Sequence, residues 1–180
     1  MIDMDTTNLS PERRDLLETL AAHRGFLRQT AASLTDEQAR TRSTVSELTV
    51  GGLIKHVAHT EQMWARFMVD GTGIGDPGID WSNPDPALIQ AYQAGFRLLE
   101  TETLAGVLAD YERIATETDR LVAELPDLDR AFPLPPAPWF APGAVRTVRR
   151  AITHLVAETA QHAGHADIVR EAIDGARTMG

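Results

Sequence analysis

Histidine and glutamate side chains recur at short, regular intervals near the end of the chain, in the order His154, Glu158, His162 and His165. On an α-helix, four residues turn the backbone by ~400° and advance it by ~6 Å, so the first three side chains form a column on one face. A column of imidazole and carboxylate groups is how one helix offers two ligands to a single metal ion. The spacing therefore predicts a divalent-metal site on this helix.

A third ligand is expected from a segment far upstream, which carries His56 and His59. His56 lies at helical spacing from apolar neighbours, so it points inward or to the edge of the core. Inward-facing imidazoles and carboxylates destabilise a helical protein unless something satisfies them, and a divalent metal does so directly. We therefore predict a site with three protein ligands, for which Glu158 and His162 on one helix and His56 opposite them are candidates, while the spacing alone leaves open which three residues bind.

The spacing leaves the roles of the remaining histidines open. His154 is one turn further along the column, so it either caps the site or orients a ligand. His165 follows His162 by three residues and either hydrogen-bonds a ligand or binds the metal itself. His59 has the same ambiguity relative to His56. The carboxylates that could orient these rings are Glu61 and Asp167.

The composition is that of an ordinary globular protein, with 43% hydrophobic and 24% charged residues over 180 positions. This length predicts a single domain spanning residues 1–180. The chain has no cysteine, so any thiol chemistry needs a thiol from outside. The net charge of −9 predicts no nucleic-acid partner, and the cluster Arg146, Arg149 and Arg150 is interpreted as a solvated face.

Targeting and membrane signals are expected to be missing. The N-terminal stretch MIDMDTTNLSPERRD has no apolar signal core, and no run approaches 18 apolar residues. We therefore predict a cytoplasmic protein without a membrane partner.

The hydrophobic periodicity predicts an all-α protein with four long amphipathic helices and no strand. The first helix begins after an N-cap at Ser10, and its apolar stripe includes His23, interpreted as a core residue with the metal cavity as the alternative. Two long loops rich in glycine and proline, at 71–86 and 127–143, are candidate walls of a site. The long helices are predicted at about 10–33, 49–70, 103–125 and 144–174, with a weak helix at 87–99. Such helices favour a four-helix bundle, in which metal sites form between facing helices.

The stretches HLVAETAQHAGHADIVREAIDG and LTVGGLIKHVAHTEQMW closely resemble the DinB/YfiT-like superfamily, and more narrowly its actinobacterial mini-circle-like branch. The resemblance covers nearly the whole chain and implies a four-helix bundle of the DinB/YfiT-like type, expected to be a homodimer. It also implies a divalent metal held at the positions of His56, Glu158 and His162. Many members have a histidine at the position of Glu158, and the glutamate version resembles the mycothiol-dependent maleylpyruvate isomerases. Those isomerases have an additional C-terminal domain that helps to shape their site, whereas this protein is expected to consist of the bundle alone, so maleylpyruvate itself is not expected as the substrate.

The resemblance and the ligand set together predict a metal-dependent thiol S-transferase that acts on a small electrophile. Zinc is the expected ion, with nickel or iron as alternatives, and mycothiol or a similar low-molecular-weight thiol is the expected nucleophile. His59, His154 or His165 would move protons, and the loops carrying Trp81, Trp139 and Phe140 would form the walls.

Three other functions fit the same ligands. Two histidines and one carboxylate also form the iron site of non-haem oxygenases. Metal-bound water could instead hydrolyse a substrate. Finally, the protein could be a metal-binding module without catalysis.

Overall fold

The computed structural model describes residues 9–75, 81 and 83–178 of the chain. Within these residues it contains six helices and two short strands. In chain order these are α1 (Pro11–Gln29), α2 (Asp36–Arg40), α3 (Val50–Asp70), α4 (Pro86–Ala94), α5 (Leu104–Glu124), β1 (Ala131–Pro133), β2 (Val145–Thr147) and α6 (Val148–Asp174). The prediction of a mostly helical protein is confirmed.

A serine or threonine N-cap precedes each of the four long helices. The side chains of Ser10, Thr49, Thr103 and Thr147 accept hydrogen bonds from backbone N–H groups in the first turns of α1, α3, α5 and α6. Such N-caps satisfy donors that have no partner inside the helix. Gly71 and Gly175, both with φ near +80°, end α3 and α6 in the left-handed region that glycine adopts without strain.

The four long helices pack in a ring, in which α1 contacts α5 and α6, and α3 contacts the same two helices. Their apolar faces form two buried clusters, one around Leu53, Val57 and Ala166 and the other around Trp64, Phe67 and Leu155. Helix α4 differs, because none of its residues is buried. None of the described helices is both long and apolar enough to cross a lipid bilayer.

The prediction that the chain has no strand is wrong. Strands β1 and β2 pair antiparallel, with Phe132 opposite Arg146, and so bring the second loop back to the start of α6. Because residues 145–147 are extended, α6 begins at Val148 rather than at 144. Two three-residue strands are too short to give an alternating pattern. The first predicted loop, 71–86, includes residues 76–80 and 82, which lie outside the described residues.

A buried ion pair connects three of the long helices. Arg24 on α1 is 2% exposed and donates its Nε–H to Glu61 on α3 at 3.1 Å and its Nη1 to Asp119 on α5 at 2.6 Å. Glu61 is fully buried, and both of its oxygens accept from Arg24. Glu61 is therefore paired with Arg24, and the hypothesis that it orients a histidine is wrong. His23 is half-buried, so its prediction as a core residue is also wrong.

The first turn of α3 lies against the segment that follows α4. A Cβ atom on Gly52 would lie 1.9 Å from the backbone oxygen of Phe96, and one on Gly51 would lie 2.9 Å from the side chain of Leu98. Lys55, one turn later, donates hydrogen bonds to the carbonyl oxygens of Ala94 and Arg97. Glycine is therefore required at residue 52, where two backbones approach each other.

We predict that Gly52→Ala destabilises the protein by at least about 3 kcal/mol, because the added methyl group overlaps a backbone atom that has no rotamer to change. Urea denaturation followed by circular dichroism measures the loss. Gly25→Ala is the matched control, since a Cβ there meets nothing within 4 Å, and replacing a helical glycine by alanine should stabilise the protein by up to about 1 kcal/mol. Equal stability of the two variants would contradict the close approach.

Candidate metal centre

Contact between α3 and α6 brings the three predicted metal ligands together. One potential ligand atom from each of His56, Glu158 and His162 can be chosen such that all three lie within 4.8 Å of one another. The Nε2 atom of His162 is 3.2 Å from a Glu158 oxygen, and the rings of His56 and His162 meet edge to face with centroids 4.9 Å apart. The grouping agrees with the prediction from the sequence, while metal binding by these residues stays a prediction.

Donor chemistry and spacing fit a divalent ion. Zinc binds imidazole nitrogen and carboxylate oxygen at ~2.0–2.2 Å, so two ligands of one ion lie no more than roughly 4.2 Å apart. Small rotations of half-buried side chains suffice to bring the three atoms into that range. Three protein ligands leave at least one coordination position open, which is typical of catalytic rather than structural zinc sites.

His165 lies behind His162 and contacts its second ring nitrogen. The two Nδ1 atoms are 3.4 Å apart, so one of the rings donates and the other accepts. Nε2 of His162 donates to Glu158, so its Nδ1 accepts from His165; with a metal at Nε2, the proton would lie on Nδ1, which would donate to His165. This is the arrangement by which a neighbouring group fixes the tautomer of a metal-binding histidine. Of the two roles that the spacing left open for His165, the geometry favours orientation of His162.

His154 flanks the site on the other side of Glu158. Its Nε2 atom is 3.5 Å from the Glu158 oxygen Oε1, while Oε2 faces His162. Its ring packs edge to face on Trp64, with centroids 4.8 Å apart. Burial lowers the pKa of His154, and the charges of Arg146 and Arg150 lower it further. A neutral imidazole beside the carboxylate is a suitable proton acceptor.

His56 is held by stacking on Phe96, a residue that the sequence patterns did not single out. The two rings are nearly parallel, with centroids 3.9 Å apart. Burial is the main reason why the pKa of His56 falls from 6.5 to about 4, and the neighbouring His162 lowers it further. His56 is thus neutral at pH 7, the protonation state that a metal ligand requires.

Glu158 keeps its charge in this setting. Its hydrogen bond with His162 lowers the pKa of the carboxyl group, against the opposing effect of burial. The site at neutral pH therefore contains the carboxylate of Glu158 and the neutral ring of His56, and this negative charge attracts a cation.

Two of the other candidate residues lie apart from this cluster. His59 is exposed on α3. Asp167 accepts a hydrogen bond from the backbone N–H of Thr178 at 2.7 Å. Neither observation gives these residues a part in orienting the three ligands.

The aromatic residues of the two loops lie in one chain of contacts. The rings of Trp81 and Trp139 are 4.6 Å apart, and Phe140 follows Trp139 at 6.1 Å. The guanidinium of Arg146 lies over both Phe140 and Trp64, and Trp64 contacts His154. The loop aromatics thus connect to His154 only through Arg146 and Trp64, and their part as walls of the site stays a prediction.

A cavity of about 670 Å³ lies elsewhere, between the end of α1 and the start of α5, and none of the three candidate ligands lines it. It is lined largely by alanine and leucine, with Arg28 and Glu112 at one side. The candidate centre is therefore located by the chemistry of its ligand atoms and not by the size of a cavity.

Lowering the pH of metal-free protein should reduce its stability between about pH 6.5 and pH 4. In this range the unfolded His56 binds a proton that the folded residue does not, so protonation favours the unfolded state, by an amount on the order of 2 kcal/mol for a partly buried ring. Glu158, with its lowered pKa, adds a further loss only below about pH 4.5. Urea denaturation across this pH range measures both losses of stability, that from His56 and that from Glu158.

His56→Gln should reduce the slope of the profile between pH 6.5 and pH 4, and the slope that remains comes from His154, whose pKa burial also lowers. His23→Gln is the control, because His23 lies on α1 and its charge does not contribute to the lowered pKa of His56, and it should retain the wild-type profile. A wild-type pH profile in His56→Gln would contradict the buried, neutral state of this ring.

The fold is shared with solved structures of low sequence identity. A conserved protein from Enterococcus faecalis is 15% identical, with a TM-score of 0.62 over 91% of this chain and 97% of that chain. The colibactin self-resistance protein ClbS, solved in complex with double-stranded DNA, is also 15% identical, with a TM-score of 0.59 over 88% of this chain and 95% of that chain. At this identity the likeness concerns the fold alone.

The ClbS complex corrects the expectation that nucleic acid is excluded as a partner. That expectation was drawn from the net charge of −9. Net charge is a sum over the whole surface, whereas contact with phosphate needs only a local group of cations. A protein of this fold is seen with DNA, so the inference from total charge was wrong.

The sequence itself identifies the family. No curated protein matches the chain. A family model for mycothiol-S-transferases matches residues 15–175, which is most of its length. The spacing of the histidines and the glutamate, the helical fold and this match agree, and the chain belongs to the mycothiol-S-transferase family.

Proposed function

We propose that this protein is a metal-dependent S-transferase that joins a low-molecular-weight thiol, mycothiol or a close analogue, to a small electrophile. The observation that carries the proposal is the convergence of His56, Glu158 and His162 from two helices that are far apart in sequence. The family match supports a thiol as co-substrate. The absence of cysteine is consistent with this, because the sulfur nucleophile must then come from a second molecule.

The fold supports the same proposal. The ring of contacts among α1, α3, α5 and α6 is consistent with a four-helix bundle of the DinB/YfiT-like type, in which facing helices supply metal ligands. We place the ligands on α3 and α6 of this bundle. Zinc fits the donor set best, and nickel or iron fit the same ligands.

The chemistry of the reaction follows from the residues around the ligands. A bound divalent ion would supply a Lewis acid that lowers the pKa of a thiol at an open position. His154, neutral and 3.5 Å from Glu158, is placed to accept the thiol proton. The sulfur then forms a bond to an electrophilic carbon of the substrate, and the leaving group departs with its electron pair.

The other residues of the site hold the rings of the candidate ligands in their orientation and exclude water. His165 holds the tautomer of His162, and Phe96 stacks on His56 so that its ring cannot swing away. Trp64 packs on His154 and is 4% exposed, so it keeps one side of that imidazole dry. A water-poor environment strengthens the electrostatic interactions within the site.

Metal content should depend on all three ligands. Alanine at His56, Glu158 or His162 removes one of three protein ligands and should weaken metal affinity by at least about 100-fold. Native mass spectrometry after dialysis counts ions per chain. His23→Ala is the control and should retain the metal, because His23 lies on α1 and is not part of the group of potential ligands. Full occupancy in His162→Ala would contradict the ligand assignment.

Thiol binding should release a proton and require the metal. The protonated thiol is a poor ligand, so it must lose its proton on binding. Isothermal titration calorimetry of zinc-loaded protein with mycothiol, bacillithiol and glutathione, in two buffers of different ionisation enthalpy, counts the protons released. The heat should vanish after chelation. If none of the three thiols binds the zinc-loaded protein, the S-transferase proposal fails and a non-catalytic metal-binding module becomes the better explanation.

A further inference from the structure

Arg146 lies between two aromatic rings at the start of α6. Its guanidinium carbon is 5.0 Å from the centroid of the Trp64 ring and 5.7 Å from that of Phe140. Strand pairing of Arg146 with Phe132 fixes the backbone from which it projects. A guanidinium that stacks on aromatic rings uses its flat faces, and its N–H donors remain available along its edge.

The donors of Arg146 have no acceptor among the described residues, and the same is true of the guanidinium of Arg150, one turn later. Arg149, between them in sequence, differs, because it pairs with Glu12 and Asp129. Burial lowers the pKa of Arg146, and the like charge of Arg150 lowers it further. Two cations thus lie close together, one of them half-buried, without a described anion to offset them.

These cations lie on the same side of the protein as the candidate metal centre. Trp64 contacts Arg146 on one side and His154 on the other. His154 is in turn 3.5 Å from Glu158. Two packed side chains, Trp64 and His154, thus connect Arg146 to Glu158 at the candidate centre.

We propose that Arg146, assisted by Arg150, binds an oxyanion, a carboxylate or a phosphate, carried by the electrophilic substrate. This inference rests on the proposed function and specifies its substrate class as an anionic electrophile. Arginine recognises planar oxyanions through two parallel N–H···O bonds, and stacking on the aromatic rings holds the guanidinium in place before the ligand binds. The anion would offset the two positive charges and direct the electrophilic carbon toward the thiol at the metal.

Binding is tested first without metal or thiol. Isothermal titration calorimetry of chelator-treated protein with dinitrobenzoate, an unreactive anion, should give a dissociation constant that Arg146→Gln raises about tenfold or more. Arg150→Gln should have a smaller effect, since that side chain is exposed. Arg66→Gln is the matched control, because Arg66 is exposed on α3 and lines a different cavity. An unchanged constant in Arg146→Gln, or an equal loss in Arg66→Gln, would overturn the proposal.

A second experiment separates small anions from nucleic acid. Fluorescence anisotropy of a labelled double-stranded oligonucleotide is measured with the same variants at the same ionic strength. DNA binding that depends on Arg146, in a protein that does not bind dinitrobenzoate, would overturn the small-anion site in favour of a phosphate-backbone contact. The small-anion site would be supported if the oligonucleotide and dinitrobenzoate compete for wild-type protein and Arg146→Gln no longer binds dinitrobenzoate.

Turnover distinguishes failure of this inference from failure of the proposed function. With zinc-loaded protein and mycothiol, sulfur displaces chloride from chlorodinitrobenzoate or from neutral chlorodinitrobenzene. Arg146→Gln should raise KM for the anionic substrate about tenfold and leave that for the neutral one unchanged. An equal change in both would overturn the anion site. Absence of thiol-dependent turnover with either substrate, alongside Arg146-dependent anion binding, would support the anion site and overturn the S-transferase function.

Discussion

The close approach of the α4–α5 connection to the first turn of α3 is the constraint on which the candidate centre depends. Gly52 has no side chain, so the backbone of Phe96 can lie against the helix, and the Phe96 ring then stacks on His56 one turn later. Lys55 holds the same connection through two carbonyl oxygens and Glu102. Stacking removes the ring from water, and this burial is what keeps His56 neutral and able to bind a metal.

The buried ion pair between Arg24 and Glu61 also fixes the orientation of α3. Arg24 connects α1 with Glu61 on α3 and Asp119 on α5, so it holds α3 in its position around its own axis. A buried charge pair of this kind adds little net stability, but a single missing partner is costly. Arrangements in which α3 is rotated would leave Glu61 unpaired. The face of α3 that carries His56 is thereby directed toward α6.

The side chains of the α6 column differ in charge and in proposed role from one end of the helix to the other. Toward the C-terminus, His165 orients His162, and in the middle Glu158 carries the negative charge. Toward the N-terminus, His154 is neutral, and Arg150 and Arg146, which precedes the helix, have no anionic partner among the described residues, so that end suits a proton acceptor and an anion. The order of charges along one helix thus separates the groups that would bind a cation from those that would bind an anionic substrate.

The sequence by itself predicted the four long helices, the N-cap of the first, and the grouping of His56, Glu158 and His162, because helical periodicity and i, i+4 spacing are local properties of the chain. Metal binding by that group stays a prediction. Only the tertiary structure showed that Phe96 stacks on His56, that Glu61 is paired with Arg24, and that Arg146 is enclosed by Trp64 and Phe140. These contacts join residues tens of positions apart, and no local pattern specifies which of many apolar or charged residues will meet. The short strands that direct Arg146 were missed for the same reason, since three residues carry no detectable period while their pairing depends on a partner elsewhere in the chain.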